Sequence, residues 1–545
     1  MRSNGNGLSL PYGVLVGIAA AALGTAVALP AVRREALHYD EAVTLEYSVR
    51  PLGEIVRSVF LDRGGSLLYF FVEHVTLSTP GGVEGLRLPS VVCFALAIVA
   101  AWFLGRALFG GLEAGLEAFA LATAPLAVSL ATFARMYSPF LLLVLLATIL
   151  GERAGRLGGR RRWVMAGVAT GLLVHVHPIA PLYVLPPLIA AWAASELDAR
   201  AFARRAWPAA AAAVAVASPY AYALAVLRSR YDVGPSGGVL ATTAGRSVPE
   251  ESLRVMAPGG TLGAAAVALA AVVGALWLSR RRPRVALLLV AWVVVPIAFF
   301  TVVPAENARF YGRYLLPALP AYLLLAVLGC LAAGALARRR ALLGTVLTAG
   351  LLAVAIADDV RRLDRLQPLQ ITGLAPAVSQ QGTVLFSSTG TPTSDRPPEL
   401  LDTYVLLERP ELDHVEELPA IDPRYQPDVW RRGAALAAAF LRAERKARHG
   451  AWIFRGPERR VALAERRLAR ERRVVARPIS PTLLLVVTSV PERARSLLEL
   501  GIVVRVSWSI RSPADRLAHM IIEADRRALT ATRVAARARK DGNGP

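Results

Sequence analysis

The chain has 545 residues, 55% of them hydrophobic, and a mean hydropathy of +0.46, so it belongs to the multi-pass membrane class rather than to small soluble domains. A formal net charge of +22 would suit nucleic acid, but Lys446 and Lys540 are the only lysines; arginine this abundant beside alanine follows GC-rich coding, it falls where cytoplasmic loops belong, and nucleic acid is excluded as a partner. The two cysteines, Cys93 and Cys330, lie in separate apolar runs, which excludes a disulfide framework and a cysteine metal site.

The first apolar run, about Leu10 to Pro30, is longer than a signal-peptide core and reads as a retained span; cleavage would have to use the poor site Leu29-Pro30-Ala31. HYDEAVTLEYSV (38–49) follows, placing Asp40 and Glu41 just beyond that span. The rest of the first outer loop, 33–87, is broken and polar, with two amphipathic pieces. Leu52 to Phe60 and Ser66 to Ser78 fit helices lying along the interface; a true span at 66–78, with Glu73 and His74 inside it, would invert everything downstream.

The arginines oppose that inversion. Further spans are expected at 88–104, 115–132, 139–150, 164–174, 179–194, 207–227, 261–278, 285–303, 314–336 and 341–357, about eleven in all with the first. They leave Arg106, the loop GERAGRLGGRRRW, Arg200, Arg204, Arg205, SRRRPR and Arg338 to Arg340 on the inner side, as the positive-inside rule requires. The architecture expected is a polytopic α-helical domain over 1–357. An extracytoplasmic α/β domain over 358–545 should follow it, signalled by the runs GTVLFSS, TYVLLE, AWIFRG and TLLLVVTS and by arginine-rich helices at 431–449 and 457–473. Those basic helices either rest on anionic lipid headgroups or present a solvated face.

On this map the ionisable residues gather at the outer face of a cell (plasma) membrane protein: Asp40, Glu41, Asp62, Arg63, Glu73, His74, Arg135, Tyr137, His175, His177, Glu306, Arg309 and Arg313. Charges at membrane depth cost several kcal/mol unless paired or wet, so an outward polar cavity is expected there.

Five motifs in order carry a family resemblance: YDEA after the first span, LLYFFVEHV, GLRLPSVV at 85–92, ARMYS at 134–138 and RYLLPALPAYLLLA at 313–326. Together they resemble the GT-C glycosyltransferases of the protein O-mannosyltransferase and lipid A aminoarabinose-transferase type, over about residues 8–340. The resemblance implies sugar transfer from a polyprenyl-phosphate sugar to a protein, lipid or glycan acceptor at the outer face. It assigns Asp40 as the catalytic carboxylate, with Glu41 as its acidic neighbour. FLDRGG (60–65) is similar to the aminoarabinose transferases' run of aromatic, carboxylate, lysine and proline, making Asp62 a metal-side carboxylate and Arg63 a phosphate cation. It departs in having Gly64 and Gly65 where that family has proline, and the loop 228–260 contains no histidine to complete that family's metal site, so no metal is carried over.

The chemistry suits these residue types. Displacing a lipid phosphate from an anomeric carbon needs a base for the acceptor hydroxyl and cations for the leaving phosphate. Asp40 can be the base, and Arg63, Arg135 and Arg313 the cations, because guanidinium binds phosphate in two-point geometry; the plainer readings are a helix cap for Asp40 and snorkelling arginines. Tyr137, His175 and His177 are further ligands for substrate or phosphate. Two histidines two apart either bind a divalent ion, if no helix runs through them, or donate hydrogen bonds. The competing function is a transporter or flippase of lipid-linked sugars, which would favour paired repeats and broken mid-membrane helices; a scaffold displaying the 358–545 domain is a third.

Overall fold

The computed structural model describes residues 10–34, 39–48, 50–57, 59–60, 66–77, 82–230, 247–303, 310–336, 340–365, 383–386, 417–418, 449–455, 458–471, 474–480 and 483–488. The chain divides into two compact units, one of residues 1–33, 44–232 and 238–366, the other of 34–43, 233–237 and 367–545.

The first unit is helical. A long helix α1 (Leu10–Arg34) is followed by short helices α2 (Tyr39–Ser48), α3 (Leu52–Arg57) and α4 (Leu67–Leu77). Then come α5 (Gly82–Leu108), α6 (Gly111–Ala122), α7 (Pro125–Ala131), α8 (Tyr137–Leu157) and α9 (Arg160–Leu172). After them run α10 (Leu185–Ala194), α11 (Ala199–Arg230), α12 (Val248–Met256) and α13 (Gly260–Ser279), and then α14 (Pro283–Val302), α15 (Leu319–Leu336) and α16 (Arg340–Arg365). At 11 residues α4 rises only about 16 Å, too little for ~30 Å of hydrocarbon.

Among the described residues, five stretches are long and apolar enough to cross a membrane: Gly13–Val32, Glu84–Leu108, Gly260–Ser279, Pro283–Val302 and Gly312–Ala335. The other spans expected from 139 onward fall on α8, α9, α10, α11 and α16. The span expected at 115–132 is instead the pair α6 and α7, bent by 59°. Pro125 at the first turn of α7 has no N–H to continue the ladder, and the Thr123 hydroxyl turns back onto the Phe119 carbonyl at 3.1 Å.

Residues 315–332, which run into α15, are all buried and form the centre of the unit, packed on α13, α14, α16 and α6. Small residues let α13 approach it: a Cβ on Gly274 would lie 2.0 Å from the Leu325 carbonyl oxygen, and one on Gly329 1.9 Å from that of Ala270. The far side of α13 presents Leu262, Leu269 and Leu276, exposed at a seven-residue spacing, as a lipid-facing helix should. Arg87, from GLRLPSVV, is fully buried and donates to the Val32 carbonyl at 2.7 Å, closing the end of α1.

The C-terminal ends of α5, α10 and α13 meet at the α13–α14 link. Arg282 donates to the Leu108 carbonyl, and Arg284 to the Ser195 carbonyl at 2.9 Å while lying 4.6 Å over Trp192. Arg281 covers Trp277 at 4.3 Å. Arginines at helix C-termini beside tryptophan are what an interfacial rim requires.

In the second unit β1 (Thr383–Phe386), β2 (Glu417–Leu418), β3 (His449–Arg455), β4 (Val474–Ser480) and β5 (Leu483–Thr488) form a sheet in the order β2-β1-β3-β5-β4. β1 pairs in parallel with β2 and β3, and the remaining pairs are antiparallel. Helix α17 (Glu458–Leu468) follows β3. Three of the apolar runs fall on β1, β3 and β5; TYVLLE and 431–448 lie outside the described residues, and His449 opens β3. Leu484 and Val486, two apart on β5, are both buried, the period-2 mark of a covered face.

Candidate functional site

Breaks between helices carry Arg135, His177 and Arg313. Arg135 occupies the turn between α7 and α8, where its own N–H bonds the Phe133 carbonyl at 2.7 Å. His177 lies in the break between α9 and α10, flanked by the 3-10 turns Leu173–His175 and Ala180–Tyr183. Arg313 sits in the 3-10 run Gly312–Ala318 that leads into α15, a tighter coil that Pro317 and Pro320 favour over regular helix.

Aromatic rings surround His177 and Arg313. The His177 ring stands 5.5 Å from Tyr137, 5.4 Å from Phe140 and 5.3 Å from Tyr314, centroid to centroid. The Arg313 guanidinium lies 5.5 Å over Tyr137 and 4.7 Å over Tyr311. Tyr183 fixes the turn by donating to the Tyr314 carbonyl at 2.6 Å. Arg135 donates through Nη1 to Thr44 Oγ1 of α2 at 3.4 Å, and its buried Nε has no hydrogen-bond partner among the described residues.

The tautomer of His177 follows from its neighbours. The Ile179 N–H donates to Nδ1 at 3.1 Å, so a neutral ring carries its proton on Nε2, and that buried donor has no partner among the described residues. Burial, and then the charges of Arg135 and Arg313, lower the His177 pKa from 6.5 to about 3. The ring therefore stays neutral at physiological pH and cannot act as an acid. Two guanidinium groups near enough to act on the imidazole, together with its N–H donor, are equipped to hold an oxyanion, and an unfilled buried donor there costs about 1–3 kcal/mol.

His175 is turned elsewhere. Its Nε2 donates to the Val216 carbonyl of α11 at 2.8 Å, and its ring meets Tyr220 and Phe60 edge-on. With the Nε2 of both rings protonated, the histidines do not offer two lone pairs to one ion, and among the described residues no group of three His, Cys, Asp or Glu could hold a metal. His74 donates through Nδ1 to the Ser48 carbonyl at 2.7 Å, tying α4 to α2, while Glu73 is fully buried rather than wet. Glu41 is buried in α2. Asp40 lies one helical turn before Thr44, its side chain outside the described residues, as are Asp62, Arg63, Glu306 and Arg309. Thr44, Tyr311 and Tyr314 had no signal in the sequence strong enough to single them out.

Residues 68–222, which include Arg135, Tyr137, His175 and His177, match the family model of dolichyl-phosphate-mannose-protein mannosyltransferases. No curated protein matches the chain by sequence. The fold is similar to that of ArnT from Cupriavidus metallidurans in a crystal structure with undecaprenyl phosphate bound, at 14% identity over 88% of this chain and 98% of that one, with a TM-score of 0.56. It is also similar to the Archaeoglobus fulgidus oligosaccharyltransferase in its apo form, at 11% identity over 81% of this chain and 70% of that one, with a TM-score of 0.52. The match over residues 68–222 and the shared architecture show that this chain has the fold of these membrane proteins.

Proposed function

We propose that the chain moves a sugar from a polyprenyl-phosphate donor to an acceptor hydroxyl at the outer face of the membrane. The observation that carries this reading is the convergence of Arg135, Arg313 and the neutral N–H of His177. A leaving phosphate gains charge as the glycosidic bond breaks, and half-buried arginines with a fixed N–H donor stabilise it most when that charge has developed. The crystallised ArnT neighbour holds undecaprenyl phosphate, a ligand of the same chemistry.

Asp40 serves as the base that takes the acceptor proton. Direct attack assisted by that base inverts the anomeric carbon. The helices of residues 1–357 carry the chemistry, and the domain from 358 onward faces outward. Asp40→Asn keeps size and hydrogen bonding but removes proton acceptance, so transfer should fall by about 10²–10⁴-fold with undecaprenyl phosphate binding retained. A fully active Asp40→Asn enzyme, destabilised only as Asp40→Ala, would identify a helix cap instead. Orientation is tested by cysteine labelling with an impermeant reagent. Gly53→Cys, on exposed α3, should label in intact cells, and Arg161→Cys only after permeabilisation; the reverse pattern removes the outward site.

A further inference from the structure

We infer that Ser90 and Tyr69 are positioning residues for Arg135, forming a hydroxyl relay that fixes the turn from which its guanidinium reaches the phosphate; the inference rests on the phosphate reading above. The need for the relay arises in the sequence ARMYSP. The first bond of α8 runs from the Phe140 N–H to the Met136 carbonyl at 2.8 Å. One residue earlier, the Arg135 carbonyl would need an N–H at position 139, and Pro139 has none. That carbonyl is instead served from another helix, where Ser90 of α5 donates to it at 3.2 Å.

The direction of the relay is fixed by counting protons. The single Ser90 proton points at the Arg135 carbonyl, so at the 3.1 Å contact between the two hydroxyls Tyr69 must donate to Ser90. Both residues are buried, Tyr69 on α4 and Ser90 on α5. The other side of the turn is pinned by Ser138, whose hydroxyl reaches back to the Leu130 carbonyl at 3.2 Å. Arg135 thus extends from a backbone held at two points, and its side chain meets Thr44 on α2. Helix α4 is joined to α2 in its turn, by His74 on the Ser48 carbonyl and by Phe70 stacked on Tyr47 at 5.4 Å. Hydrogen bonds and one ring stack thus link α2, α4 and α5 to the arginine turn.

A double-mutant cycle in the full-length purified protein separates positioning from packing, with undecaprenyl phosphate as the probe and thermal unfolding recorded in parallel. Ser90→Ala should weaken binding by about tenfold and Tyr69→Phe, which leaves the Ser90–carbonyl bond in place, by about two- to threefold. In an Arg135→Ala background Ser90→Ala should cost nothing further, because the residue it positions is gone. Wild-type affinity in both Ser90→Ala and Tyr69→Phe, or a Ser90→Ala loss that persists undiminished without Arg135, overturns the relay while leaving the phosphate reading intact. Should Ser90→Ala fail to fold, Tyr69→Phe is measured alone and in the Arg135→Ala background under the same criteria. If Arg135→Ala itself binds the probe as the wild type does, the phosphate reading fails and takes the relay with it.

Discussion

Arginine stands in two different surroundings at two ends of the helical unit. At the rim, Arg282 and Arg284 give their protons to the carbonyls that end α5 and α10, and Arg281 and Arg284 lie over tryptophan rings. At the site, among the described residues, Arg135 donates to a threonine hydroxyl at 3.4 Å, keeps an unpartnered Nε, and stands with Arg313 near an imidazole that burial holds neutral. The residue type is the same and the surroundings differ. Carbonyls and indoles satisfy a cation and anchor a helix end, whereas rings and weakly engaged donors leave it able to take an anion. Being an arginine near the membrane surface therefore says little; what its neighbours have already used says more.

The largest expected effect tests that contrast directly. Arg135→Ala and Arg313→Ala should each weaken undecaprenyl phosphate binding by about 10- to 100-fold, since a desolvated charge-assisted contact is worth about 1.5–3 kcal/mol. Lysine should rescue only in part, as a point charge without the fork. Arg284→Ala should bind the probe normally. Equal losses at rim and site would erase the distinction, because they would report general electrostatics or misfolding.

A smaller effect is expected on stability, with the order reversed. Arg284→Ala gives up a carbonyl cap and a cation–π contact, about 1–2 kcal/mol together, and should lower the unfolding temperature by a few degrees. Arg135→Ala should change it less, because the hydroxyl contact it loses is long. Thermal unfolding in one detergent checks both, and a rim variant as stable as the wild type would show that the rim contacts are incidental.

The helices were legible because apolar length is a direct physical requirement of a membrane, so α1, α5, α13, α14 and α15 stand where hydropathy puts them. The bend between α6 and α7 was signalled by Pro125 but hidden inside an unbroken apolar run. Arg135, Tyr137, His177 and Arg313 could be picked from sequence as polar residues beside spans, and the structure brings these four together. His175 has the same signature in sequence and a different occupation, a main-chain carbonyl of α11. The coil stays helical through Val176, so side chains two residues apart point in different directions, as the spacing rule for a helix requires. Ser90, Tyr69 and Thr44 escaped because a single hydroxyl in an apolar helix has no pattern; only Pro139, by depriving the Arg135 carbonyl of its donor, hinted that something else must serve it.

The smallest effect concerns the proton on His177. With its folded pKa lowered to about 3 and its unfolded value near 6.5, the unfolded chain takes up a proton between these limits that the folded chain does not. Stability contributed by this group is therefore unchanged above about pH 6.5 and declines as pH falls through the window toward 3. Between pH 7.5 and 5.5 the decline should be about 1 kcal/mol. His177→Gln keeps a donor and an acceptor but cannot titrate, so its unfolding temperature should drop less than that of the wild type over the same interval. The same comparison addresses the site: a ring already neutral adds no affinity for undecaprenyl phosphate on acidification, so wild type and variant should respond to pH in parallel in a binding assay. If the wild type instead gained affinity below pH 6.5 relative to His177→Gln, the ring would be protonating beside the two arginines. The site would then draw on imidazolium charge rather than on the fixed N–H donor argued for it.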